Sequence, residues 1–134
     1  MLENVLDEYG LKSDPEIKPF ANGLINRTWK ITHAGEDFIL QKVNHQIFQS
    51  PQAIADNISL ISHYLQQHFP HYIFPTPIAN RSSDTLTYLP ENGYYRIFPF
   101  VKDSHSIDVV TTTKQAYEAA KTFGKFTHLL SGFD

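Results

Sequence analysis

The sequence predicts an α+β domain in which an antiparallel sheet carries one packed helix. Three observations lead there. The β-rich stretches Glu16 to Phe20, Thr28 to Thr32 and Asp37 to Val43 follow one another with only short turn-rich breaks, which is the pattern of an antiparallel meander. After Ser50, Ile54, Ile58, Ile61 and Leu65 recur at spacings of four, three and four, the period of one helical face. Pro90-Glu91-Asn92-Gly93 then separates two further β-rich runs and contains the Asn-Gly pair of a tight hairpin.

In chain order, Leu2, Val5, Leu6 and Tyr9 share one helical face and Gly10 offers a left-handed stop, so residues 2 to 9 read as a short amphipathic helix. The three strands of the meander are broken at Ala21-Asn22-Gly23 and at Ala34-Gly35-Glu36. Ser50 as N-cap and Pro51 at the first helical position open a second helix, expected to run to about Gln67. Pro70, Pro75 and Pro77 bar its continuation. Strands are then expected at Ile78 to Asn80, Thr85 to Leu89 and Tyr94 to Val101. A final helix starts at Thr112, where Gln115 completes a capping box, and presents Ala119, Phe123, Phe126 and Leu130 on one face before Ser131-Gly132 closes it.

The 134 residues fit a single core, and 41% hydrophobic content with ten Phe, seven Tyr and one Trp supplies the material to build it. Eleven basic against fourteen acidic side chains give a net charge of -3, which opposes the counterion release that nucleic-acid or anionic-membrane binding draws on. No nucleic-acid or membrane partner is expected. The absence of Cys excludes disulfides, thiolate metal sites and a cysteine nucleophile. The acidic start, Glu3, Asp7 and Glu8, is unlike a secretory signal, and no run is long enough to span a membrane, so a cytoplasmic location is expected. His63, His68 and His71 do not share a helical face and no metal site is read from them. Ser104, His105 and Asp108 match a hydrolytic triad in composition only, with no nucleophile elbow before them.

Asn22-Gly23-Leu24-Ile25-Asn26-Arg27-Thr28-Trp29, then Phe38-Ile39-Leu40-Gln41-Lys42-Val43-Asn44, Phe48-x-x-Pro51 and Asn57-Ile58, resemble the aminoglycoside phosphotransferase and choline kinase superfamily. Within it the chain is most similar to the branch of N-acetylhexosamine 1-kinase-like sugar kinases. Tyr95-Arg96-Ile97-Phe98-Pro99-Phe100-Val101 resembles that branch's hinge strand, and Phe123-Gly124-x-Phe126 the helix after it. The resemblance implies a protein-kinase-like N-terminal lobe with a five-stranded antiparallel sheet over residues 1–101. Residues 102–134 would then be the segment after the hinge and the first helix of a following lobe.

It also implies an ATP site. Gly23 would let the first hairpin bring backbone amides near the phosphates, with Asn26 or Thr28 adding side-chain donors. A lone glycine is neither a G-x-G-x-x-G nor a Walker loop, so the nucleotide assignment rests on the resemblance. On the third strand, alternation puts Phe38, Leu40 and Lys42 on one face and Ile39, Gln41 and Val43 on the other. Lys42 is the expected phosphate-binding cation because Gln cannot supply charge, while Gln41 aligns with the same position. Asp56, or Asn57 beside it, is the candidate to orient that cation from the helix. Pro99 lacks an N–H, so the adenine donor is expected from Phe100 or Val101.

No His-x-Asp-x-x-x-x-Asn pattern occurs before Asp134. The expectation is therefore an N-terminal portion of an ATP-dependent kinase acting on a small-molecule hydroxyl. Its catalytic Asp and its Mg2+ ligands would lie in a lobe beyond this chain, which alone would not turn over substrate. The alternative is a complete, non-catalytic nucleotide-sensing or protein-docking domain, with a homodimer formed through the exposed face of the final helix.

Overall fold

Alternating apolar residues and turn chemistry set the sheet, as the computed structural model shows for residues 2–20 and 23–134. Its elements are α1 (Leu2–Glu8), β1 (Glu16–Pro19), β2 (Arg27–His33), β3 (Glu36–Val43), α2 (Pro51–His68), β4 (Thr87–Leu89), β5 (Gly93–Pro99) and α3 (Thr113–Leu129). The five strands pair in the order β1-β2-β3-β5-β4, every neighbour antiparallel. Ala34 and Gly35, at φ of 50° and 81°, join β2 to β3 in two residues, and positive φ at both is the geometry that matches the strands' own twist. The β4–β5 connection is built on a bond from the Asn92 N–H to the Leu89 carbonyl, and Gly93 takes φ 91° where β5 begins.

One expected strand does not form. The Ile78 N–H donates to the Ile97 carbonyl, but the Asn80 N–H turns to the Asp84 carbonyl and its side-chain oxygen accepts from the Ser82 and Asp84 N–H groups. The ladder stops after one bond because Asn80 builds a turn instead. Of the expected break Ala21-Asn22-Gly23, Ala21 and Asn22 lie outside the described residues.

Register divides the sheet into two faces. Ile17, Trp29, Ile31, Phe38, Leu40, Tyr95 and Ile97 share the first, where Val5 and Leu6 of α1 bury themselves with Ile31, Leu40, Tyr95 and Ile97. The second carries Thr28, Lys30, Ile39, Gln41, Val43, Arg96 and Phe98. There Ala55 of α2 packs with Val43 and Leu86, flanked by Phe48 and Tyr94.

The chain divides into two compact units, Met1–Ser59 with Pro75–Phe100, and Leu60–Phe74 with Val101–Asp134. The sheet belongs to the first. The second holds aromatic pairs: Tyr64 stacks on His68 at 4.4 Å and meets Phe133 edge-on at 5.2 Å, and Phe74 stacks on Phe126 at 5.8 Å. Its helix α3 starts as the sequence indicates, with the Thr112 hydroxyl accepting from the Gln115 N–H and the Gln115 side chain accepting from the Thr112 N–H.

Candidate functional site

The β1–β2 hairpin owes its tip to two residues. A Cβ on Gly23 would stand 2.5 Å from the Asn26 carbonyl oxygen, so only glycine permits this close approach. Asn26 in turn accepts from the Asn44 N–H at 2.9 Å, which fastens the hairpin to the end of β3. Leu24, at the tip, is 99% exposed. Asn26 thus serves the hairpin's own structure with its side-chain oxygen, and only its NH2 end is a donor.

Below the hairpin, register sets Thr28, Gln41 and Arg96 in one row on the α2-bearing face. Arg96 donates from Nε to Gln41 Oε1 at 3.0 Å, and its guanidinium lies 5.2 Å from the Phe98 ring centroid. Burial pushes the Arg96 pKa down from its ordinary value, which still leaves it a cation at neutral pH. Among the described residues no carboxylate pairs with it. A second cluster lies further along the same face. Lys30 Nζ is 2.9 Å from Asp37 Oδ2, and Thr32 donates to Asp37 Oδ1 at 2.6 Å. The Thr32 bond, then Lys30, holds the Asp37 carboxyl below the ordinary carboxylate value. Lys30 also sits 4.5 Å from the centroid of Phe100, which Phe20 meets edge-on at 5.9 Å.

Lys42 stands on the opposite face, in a row with Arg27 and Tyr95, its Nζ 5.7 Å from the Tyr95 ring centroid. Asp56 is exposed and accepts from Gln52 Nε2 on its own helix at 2.9 Å. The structure does not bring Lys42 and Asp56 together. Ala55 faces the sheet, and one residue on a helix rotates the next by about 100°, which carries Asp56 away from it. Asn57 is exposed as well. At the end of β5 the Phe100 N–H donates to the Asp37 carbonyl at 3.0 Å and is therefore committed to the sheet. Val101 is 53% exposed, and its carbonyl accepts from the Ser104 N–H.

Beside Arg96 opens a mostly apolar pocket, lined among others by Val43, Phe48, Ile54, Ala55, Leu86 and Arg96. Sequence reading missed Arg96 as a site residue. No local signal could have found it: the β3–β5 register that sets Arg96 opposite Gln41 joins strands with α2 and β4 between them in sequence. Among the described residues, no group of three or more His, Asp or Glu stands close enough to hold a metal ion, and no helix is long and apolar enough to cross a membrane.

No protein-family model matches the chain. Among solved structures, spectinomycin phosphotransferase APH(9)-Ia, in complex with ADP and spectinomycin, is similar at a TM-score of 0.57 and 16% identity, covering 99% of this chain. The fold is thus the α+β fold of a kinase-like N-terminal lobe. This chain spans 37% of the length of that phosphotransferase chain.

Proposed function

We propose that the chain is the nucleotide-binding portion of an ATP-dependent phosphotransferase. The observation that carries this is the row of Thr28, Gln41 and Arg96 beneath a hairpin tightened at Gly23, on a kinase-like fold. Phosphoryl transfer is catalysed mostly by positioning and charge neutralisation, and this face sets the Thr28 hydroxyl and the Arg96 cation in one row. The structural neighbour's complex with ADP supports the same ligand class. Gly23, Asn26 and Thr28 are assigned to the phosphates. The Phe100 N–H, engaged by the Asp37 carbonyl, is not free to serve as the adenine donor. The acceptor, following the sequence resemblance, is a hydroxyl of an N-acetylhexosamine-like sugar. Mg2+ and the catalytic Asp would be supplied by residues outside this chain.

Calorimetric titration of ADP and ATP into the protein tests the binding step, and consumption of ATP with a panel of amino sugars tests the transfer. Heats indistinguishable from dilution for both nucleotides would refute the reading. A second reading, a non-catalytic nucleotide-sensing or docking domain, draws on one observation: α3 buries no residue, and Tyr117 and Phe123 on it are exposed. ADP binding without ATP consumption by the natural full-length protein would favour it.

A further inference from the structure

Resting on the nucleotide-binding reading, we infer that Arg96 of β5, oriented by Gln41 of β3, supplies the positive charge for the nucleotide's phosphates in place of a lysine on β3. Three features of the face converge on it. Arg96 shares its row with Thr28, the first α2-side residue of β2 after the hairpin, whereas Lys42 lies on the face that α1 helps to bury. Arg96 is half-buried without a carboxylate among the described residues, so its charge has no counter-charge until an anion arrives. The other strand cations on this face are already neutralised, Lys30 by Asp37 at 2.9 Å and Lys18 by Glu16 at 2.7 Å.

The partner chosen for Arg96 fits this role. Gln41 accepts the Nε–H and so fixes the guanidinium plane, with the Phe98 ring beside it. That leaves the two terminal NH2 groups as a fork that matches phosphate oxygens. An amide does this without cancelling the charge. Glu at position 41 would neutralise Arg96, and Lys there would repel it. Gln41 is thus a positioning residue for a cation on the next strand.

The test is calorimetric titration of ADP and of adenosine into the full-length natural protein and into the variants Arg96→Met, Gln41→Glu and Lys42→Met. Arg96→Met is expected to weaken ADP about tenfold or more, the scale of a charge-assisted phosphate contact, with adenosine affinity unchanged. Gln41→Glu retains Arg96 and gives it a carboxylate, so it tests the idea even if Arg96→Met fails to fold. It should weaken ADP in the same selective way. Lys42→Met should leave ADP binding intact. Undiminished ADP affinity in Arg96→Met or Gln41→Glu, or a selective loss in Lys42→Met, would overturn the inference while sparing nucleotide binding. A parent protein that binds neither ADP nor adenosine removes the nucleotide reading, and this inference with it.

Discussion

Thr87 is only 4% exposed, and its hydroxyl is satisfied on both sides: it accepts from Asn80 Nδ2 and donates to the Tyr9 hydroxyl, each at 2.9 Å. One relay ties α1, the turn after residue 77 and β4 together. Tyr9→Phe leaves the Thr87 proton without an acceptor in a buried place, a loss of about 1–3 kcal/mol, to be read from the urea midpoint at constant slope. Burial raises the Tyr9 pKa, against a smaller opposing effect of the Thr87 bond. The protonated phenol is therefore favoured in the folded state. Its stabilisation is complete below the unfolded tyrosine value of about 10 and is lost as pH rises through the higher folded value. The variant should show a shallower alkaline decline than the parent. Some decline should persist, because burial raises Tyr95 too. An unchanged alkaline slope would mean that Tyr9 does not titrate differently on folding. Gly23 makes a complementary prediction. Gly23→Ala must push the Asn26 carbonyl aside, so ADP affinity should fall while the thermal midpoint, set by the distant core, moves little. An ADP titration paired with a melt checks both halves.

At the scale of elements, the β2–β3 turn carries a local conflict. Ala34 adopts φ 50°, a region that costs residues with a Cβ about 1 kcal/mol unless they are Asn or Asp, and it precedes Gly35 in a two-residue hairpin turn that favours Asn-Gly. Ala34→Asn should therefore stabilise the protein by roughly 0.5–1 kcal/mol, seen as a higher urea midpoint. No gain would mean that the turn relaxes from this geometry in solution. The same elements show what the sequence made legible. Turn residues and apolar alternation located the paired strands, and the Thr112–Gln115 box located the start of α3, because each of these signals acts within a few residues. The run Ile78 to Asn80 misled because only Ile78 bonds to β5, after which the side-chain turn that Asn80 makes with Ser82 and Asp84 ends the ladder. The candidate site was only half legible. Alternation separates Gln41 from Lys42, but which face receives α1 and which α2 is decided by tertiary packing. The pairing of Gln41 with Arg96 spans 55 residues of sequence, beyond the reach of local pattern.

Over the whole molecule, burial is uneven. The apolar cluster of Val5, Leu6, Ile31, Leu40, Tyr95 and Ile97 is sealed from solvent, whereas α3 contributes no buried residue, and Phe123 on it is 72% exposed. A helix of this length with only part-buried contacts, such as the stack of Phe126 on Phe74, draws little stability from packing, and helices with little packing are marginal in water. Opening free energies should follow that gradient. In amide exchange on the 134-residue chain, β2, β3 and β5 should approach the global unfolding limit, while α3 should exchange orders of magnitude faster through local opening. Slow exchange in α3 at all concentrations would contradict the exposed packing. Protection that grows with protein concentration would instead show a second copy covering Tyr117 and Phe123. Fast exchange in the isolated chain, with protection restored in a longer natural protein, would identify α3 as a helix whose packing partner lies in the remainder of that protein.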